Sequence, residues 1–160
     1  MHGWKGVVKV VLITLVSVLG STLLLFGYFN LSGPSPREDV HLGMTFSSRY
    51  ATDLGLDWKE TYRALLYDMG VKKLRIPVYW DLVETEPGKT AYADVDWQIE
   101  EAKKAGAEVI LSVGQRVPRW PECHIPTWAK NMSEVDRQQA LKGFLAETVN
   151  RYKHSDTITT

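Results

Sequence analysis

The chain has 160 residues, 44% of them hydrophobic, and its 19 basic and 19 acidic side chains cancel. With no basic stripe interleaved with aromatics, nucleic-acid binding has no support. Cys123 is the only cysteine, which excludes an internal disulfide and a thiolate-rich zinc site. No metal and no cofactor is expected.

From Val10 to Pro36 no residue is charged, and Val10 to Phe29 is almost wholly apolar. That is about the 20 residues a helix needs to cross the hydrocarbon core of a bilayer. Lys5 and Lys9 precede this run, and Glu38 and Asp39 follow it. The positive-inside rule therefore places residues 1–9 in the cytoplasm, a transmembrane helix over 10–30, and the remainder outside. A cleaved signal peptide is the rival, but its apolar core usually runs about 7–15 residues and ends in a small-x-small site. Leu23 to Leu31 is bulky instead, which favours an uncleaved signal anchor in the cell membrane. Residues 31–39, with Ser32-Gly33-Pro34-Ser35-Pro36, read as a short stiffened linker.

Three strand-then-helix units follow. Val40 to Phe46 reads as a buried strand, and Asp57-Trp58-Lys59-Glu60 offers a helix N-cap with Glu at the third helical position. Trp58, Tyr62, Leu65, Leu66 and Met69 then fall on one helical face, and Gly70 closes the helix. Lys73 to Tyr79 is rich in branched and aromatic residues. After a loop through Pro87-Gly88, a second helix is predicted from about Asp94 to Ala105, closed by Gly106. Val109 to Val113 is the third strand. Its helix is predicted to start near Ser133 and to bury Leu141, Phe144, Leu145, Thr148, Val149 and Tyr152. Thr157 to Thr160 reads as the start of a fourth strand.

Such alternation requires right-handed crossovers and a parallel sheet covered by helices, an α/β fold. The strand spacing fits the unit of a TIM (β/α)₈ barrel of about 250 residues. A doubly wound sheet is the competing fold, and periodicity alone does not separate the two. About 120 residues follow the anchor, roughly half a barrel, so an open and aggregation-prone sheet is expected, as from a gene fragment. Asn131-Met132-Ser133 fits a glycosylation sequon, a short match with meaning only in a eukaryotic secretory route.

In parallel βα folds the chemistry sits at the carboxyl ends of strands and in the loops that follow. Here those places hold Phe46, Ser47, Ser48, Arg49 and Tyr50, then Tyr79, Trp80, Asp81 and Glu84. The third set is Gln115, Arg116, Arg119, Trp120, Glu122, His124 and Trp128. Aromatic faces beside carboxylates and Arg suit a sugar, whose C–H faces pack on rings while its hydroxyls seek charged partners. Each also has a plainer reading. Trp58 and Trp97 lie in helices and belong to the core, Tyr79 and Trp80 divide between pocket and packing, and His124 is a hydrogen-bonding loop residue without metal-ligand spacing. Arg75 lies inside a strand read as buried, where an unpaired guanidinium is costly, so it is expected to meet a carboxylate.

The run Leu74-Arg75-Ile76-Pro77-Val78-Tyr79-Trp80-Asp81-Leu82-Val83-Glu84-Thr85-Glu86-Pro87-Gly88, with Asp94-Val95-Asp96-Trp97, resembles the second strand and loop of clan A glycoside hydrolases. These are retaining (β/α)₈ enzymes of the β-galactosidase-like and cellulase-like families. The chain keeps Arg75, Trp80, Glu84, Gly88, Asp96 and Trp97, but has Thr85 where Pro is usual and Ala91-Tyr92-Ala93 where Tyr-Asp-Phe is common. Val109 to Gly114 and Val117-Pro118-Arg119-Trp120-Pro121 are similar to the third strand and loop of the group. The resemblance implies an oligo- or polysaccharide substrate and hydrolysis of O-glycosyl bonds. It implies that Arg75 hydrogen-bonds a nucleophilic Glu, and that Tyr79, Trp80, Trp120 and His124 line sugar subsites. It also implies that both catalytic Glu residues, at the ends of strands four and seven, are missing from this chain. The expectation is thus an N-terminal half-barrel of a membrane-anchored glycoside hydrolase, inactive by itself. The alternative is a non-catalytic half-barrel that binds glycan or a partner chain.

Overall fold

A computed structural model describes residues 2–31, 33, 42–118 and 122–159. It divides into two compact units, Met1–Val40 and His41–Thr160.

Among its described residues the first unit contains one helix, α1 (His2–Leu31). Its span Gly3–Leu31 has a mean hydropathy of 2.4 with none of it buried, long and apolar enough to cross a membrane. The hydroxyls of Thr14 and Thr22 and the amide of Asn30 each donate to the carbonyl four residues back. These three polar side chains are thereby satisfied by the helix's own backbone.

In the second unit, β1 (Met44–Thr45), β2 (Lys73–Tyr79) and β3 (Glu108–Gly114) form a parallel sheet in sequential order. Val109 also bridges Ile158 in parallel, with Val109 N donating to Thr157 O at 2.8 Å and Thr159 N to Val109 O at 2.9 Å. A fourth strand position therefore lies beside β3, where the sequence places one. Strand order without reversal is the barrel arrangement, and a doubly wound sheet would reverse at its switch point. β1 is shorter than the predicted first strand, whose residues Val40 and His41 lie outside the described residues.

The first crossover holds two helices. α2 (Ser48–Asp53) is missed by periodicity and is capped by Ser47, whose hydroxyl accepts from Tyr50 N. α3 (Trp58–Arg63) begins at the predicted cap, the Asp57 carboxylate accepting from the amides of Lys59 and Glu60. Tyr62 and Leu66 are buried and Trp58 and Leu65 partly so, but Met69 is 64% exposed. The cause is a π-turn over Ala64–Asp68, where Met69 N reaches back five residues to Ala64 O and shifts the face out of the regular helical phase.

After β2 come the single turn α4 (Trp80–Val83) and α5 (Ala93–Lys104), and after β3 comes α6 (Glu134–Tyr152) with Ser133 as N-cap. On α6, Phe144, Thr148 and Tyr152 are buried as predicted, whereas Val149 is exposed beside Ile110 and Ile158. The helices cover one face of the sheet. Leu74 and Ile76 pack with Tyr62, Leu66 and Ala102, and Val78 packs with Val95, Ile99 and Phe144. Glu101 of α5 accepts from Lys104 Nζ at 2.7 Å and Arg63 Nε at 3.0 Å, two hydrogen bonds that hold its carboxyl below the usual range. Arg151 and Tyr152 both bond Asp96, tying α6 to α5.

Candidate active site

Alternation along the strands puts Thr45, Arg75 and Ile110 in one row on the face that the helices do not cover. Ile110 is 54% exposed there and Arg75 is also exposed. The expected carboxylate partner of Arg75 is not found. Its Nε donates to Thr45 Oγ1 at 3.1 Å, and among the described residues it forms no ion pair. The strand reading fails on this point because the face of β2 that carries Arg75 is open at that residue, although Pro77 and Tyr79 further along the same face are buried. A guanidinium on the open face keeps its water and needs no counter-charge. Arg75 lines a hollow of about 430 Å³ together with Phe46, Ser47, Tyr50, Pro118 and Glu122. It therefore faces the side on which a barrel would have its interior.

The carboxyl ends of the strands carry a connected polar cluster. Tyr79 Oη and Ser47 Oγ share a hydrogen bond of 2.6 Å, while Ser47 also caps α2. Burial pushes the Tyr79 phenol above its ordinary value, so at neutral pH it is a protonated donor or acceptor toward Ser47. The Arg49 guanidinium lies 5.0 Å from the Tyr79 ring centre and its Nη2 donates to both Asp81 oxygens at 2.8 Å. The His124 ring meets the Tyr79 ring edge-on at 4.6 Å, and its Nε2 is 3.6 Å from Glu122 Oε2. His124 N donates to Gln115 O at 2.7 Å, which closes the base of the third loop. Loops one, two and three thus meet around Tyr79. Ser47 and Glu122 link this cluster to the hollow that holds Arg75.

Trp80 takes the opposite role from the one the resemblance implied. It is fully buried, edge-on to Trp128 at 5.7 Å and stacked on Phe144 at 6.1 Å, and so offers no face to a sugar. Its position after Tyr79 turns it toward the helices, where a large ring contributes most by burial. Trp120, with Arg119, lies outside the described residues. Trp58 and Trp97 pack edge-on at 5.3 Å against the helix-side core, as their helical positions predict.

Glu84, one of the polar residues that follow β2, is only 8% exposed. Its Oε2 accepts from Trp80 Nε1 at 2.7 Å and its Oε1 from Gly88 N at 2.8 Å. Its main-chain oxygen accepts from Trp128 Nε1 at 2.9 Å. One residue thereby fastens the second loop to itself and to the third. The signal in the sequence is the four-residue spacing of Trp80, Glu84 and Gly88, which lets a carboxylate bridge one turn back and one turn forward. Among the described residues no group of three or more His, Cys, Asp or Glu is placed to hold a metal ion.

Residues 42–160 match the family model described as Cellulase (glycosyl hydrolase family 5). Among solved structures, a GH5_18 protein from Bifidobacterium longum subsp. longum superposes with a TM-score of 0.54 at 13% identity, covering 75% of this chain and 32% of that one. A GH5_18 protein from Streptomyces cattleya in complex with GlcNAc gives a TM-score of 0.54 at 13% identity, covering 79% of this chain and 33% of its own. The chain spans about a third of the length of these structures, and their likeness is one of fold. No curated protein matches in sequence. Family match, parallel strand order and helix-covered sheet agree: the chain is a partial (β/α)₈ barrel that belongs to glycosyl hydrolase family 5.

Proposed function

We propose that residues 40–160 form the opening part of an extracytoplasmic, retaining glycoside hydrolase barrel, held to the cell membrane by a helix over 10–30 and a linker over 31–39. The observation that carries this reading is the cluster of Arg49, Tyr79, Asp81, Glu122 and His124 at the carboxyl ends of parallel strands in a chain of this family. That is the end where such folds keep their chemistry.

In this reading Arg75 is a positioning residue. A cation on the interior face beside a nucleophilic Glu favours the ionised carboxylate that must attack the anomeric carbon. His124 and the Arg49–Asp81 pair face the sugar, Tyr79 orders them from behind, and Trp120 adds a ring from the third loop. Trp80 has no part in binding. The acid/base and the nucleophile of the family follow strands four and seven, so the three strands here supply binding wall and not reacting groups.

The full chain in detergent is therefore expected to show no turnover of aryl glycosides above buffer blanks. Measurable, saturable hydrolysis would overturn the assignment of the reacting carboxylates. The orientation rests on Lys5 and Lys9 and is tested separately through Cys123, which is exposed and is the sole cysteine. A membrane-impermeant maleimide added to intact cells should label it, and labelling only after lysis would reverse the topology.

A further inference from the structure

α1 concentrates its charged and amphipathic side chains at its two ends. Trp4, Lys5 and Lys9 stand near its start, Tyr28, Phe29 and Asn30 near its finish, and nothing between Val10 and Gly27 is charged. The apolar side chains between the two ends run all the way round, since Val10, Val11, Leu12 and Ile13 are consecutive and all exposed. A helix without a polar face does not lie flat on a membrane surface. It needs an apolar medium on every side.

The rings of Trp4, Tyr28 and Phe29 are exposed as well, and Tyr28 meets Phe29 edge-on at 5.3 Å. Indole and phenol rings combine an apolar body with a polar tip, so they settle at the headgroup layers on either side of a bilayer. Because α1 is unbroken from His2 to Leu31, the 24 residues from Trp4 to Tyr28 fix their separation at about 36 Å along the axis. The hydrocarbon core is about 30 Å thick, and the bilayer with its headgroups about 40–45 Å. Both rings therefore reach headgroup level at once, provided the axis stays within about 35° of the bilayer normal. A steeper tilt shortens the span below the hydrocarbon thickness and pulls one ring in. Lys9 lies about 8 Å along the axis from Trp4, and its four-carbon stem carries the ammonium back to the same layer. At the other end the amide of Asn30 is satisfied by Phe26 O at 2.8 Å.

We propose that α1 docks in a phospholipid bilayer in a single register. Trp4 lies at the headgroup layer on the side of Lys5 and Lys9, Tyr28 lies at the opposite headgroup layer, and the tilt stays below about 35°. The inference rests on the membrane-anchor reading and adds depth and tilt to it.

The test uses the full chain reconstituted in phosphatidylcholine vesicles whose acyl chains are brominated either near the headgroup or near the chain end. The Trp4 signal is the fluorescence difference between wild type and Trp4→Phe, which removes the contribution of the other tryptophans. Tyr28→Trp in the Trp4→Phe background reports the other end in the same way. Shallow bromines should quench both reporters more strongly than deep ones. Stronger quenching of either by deep bromines, or quenching of neither, overturns the register. An alkaline wash followed by vesicle flotation separates the two claims. A chain that floats but fails the quenching test retains its anchor and loses the register, whereas a chain washed off the vesicles overturns both.

Discussion

The two faces of one short sheet behave as different materials. On the helix side, Leu74, Ile76, Val78 and Val109 are almost wholly buried in a core built with Tyr62, Leu66, Ala102 and Phe144. On the other side, in register with them, Thr45, Arg75 and Ile110 form an open row whose guanidinium has, among the described residues, a threonine hydroxyl as its one partner. The backbone is the same for both faces, and the strand pairing is complete along β2 and β3. What differs is whether another layer is present to remove the side chains from water. The helix side carries its own covering within each βα unit, while the barrel-interior side depends on strands across the barrel. Stability should accordingly be concentrated on one face and function on the other.

The largest expected effect tests the covered face. Ile76 is fully buried, so Ile76→Ala should remove about 2–5 kcal/mol from the stability of the second unit, the range for losing branched carbons inside a packed core. Urea denaturation followed by tryptophan fluorescence would measure it, with Trp80, Trp97 and Trp128 as reporters. A loss of only a few tenths would mean that the helix layer is not packed on the sheet.

An intermediate effect is expected where the faces meet at the rim. Glu84→Ala would leave Trp80 Nε1 and Gly88 N without their carboxylate partner in a buried place. The expected cost is about 1–3 kcal/mol, as for polar groups stranded away from water. The same melts read it, and Glu84→Gln, which can still accept at Oε1, should recover part of the loss. Equal losses for both variants would show that the side chain acts through its volume alone.

How much of this contrast the sequence revealed follows from what each signal measures. Periodicity finds β2 to the residue, because Lys73 to Tyr79 is bounded by Gly70 and by the turn at Trp80; the side-chain chemistry of Asp57 marks the cap of α3, and α6 starts near Ser133 as predicted. Periodicity misses α2 and α4, since one or two turns are too short to establish a period. The π-turn that exposes Met69 also escaped, because a sequence window presumes a regular helix. The residues of the rim were legible as a set, their loops following the strand ends. Their pairings were not. Arg49 and Asp81 are 32 positions apart, as are Ser47 and Tyr79, and only the sheet brings them together. Trp80 was misassigned for a related reason, because an indole next to a strand end can turn either inward or outward, and no local pattern decides which.

Arg75 marks the limit of that reading and gives the smallest expected effect. A run of apolar neighbours made its strand look buried, and a buried guanidinium would have needed a carboxylate; the open face removes the premise. With Thr45 Oγ1 as its partner at 3.1 Å and water around it, Arg75→Ala should change the stability of this chain by no more than about 0.5 kcal/mol. It is one residue away from Ile76, whose truncation should cost several times more. The comparison is internal, because both substitutions remove a long side chain from the same strand and are read by the same denaturation curve. If Arg75→Ala proved as damaging as Ile76→Ala, the guanidinium would have to be engaged in a contact that fixes the fold, and the separation of a load-carrying face from a functional face would collapse. If it is silent, the cost of keeping an arginine on that row is explained only by what the residue does for a ligand or a reacting group on the barrel-interior side.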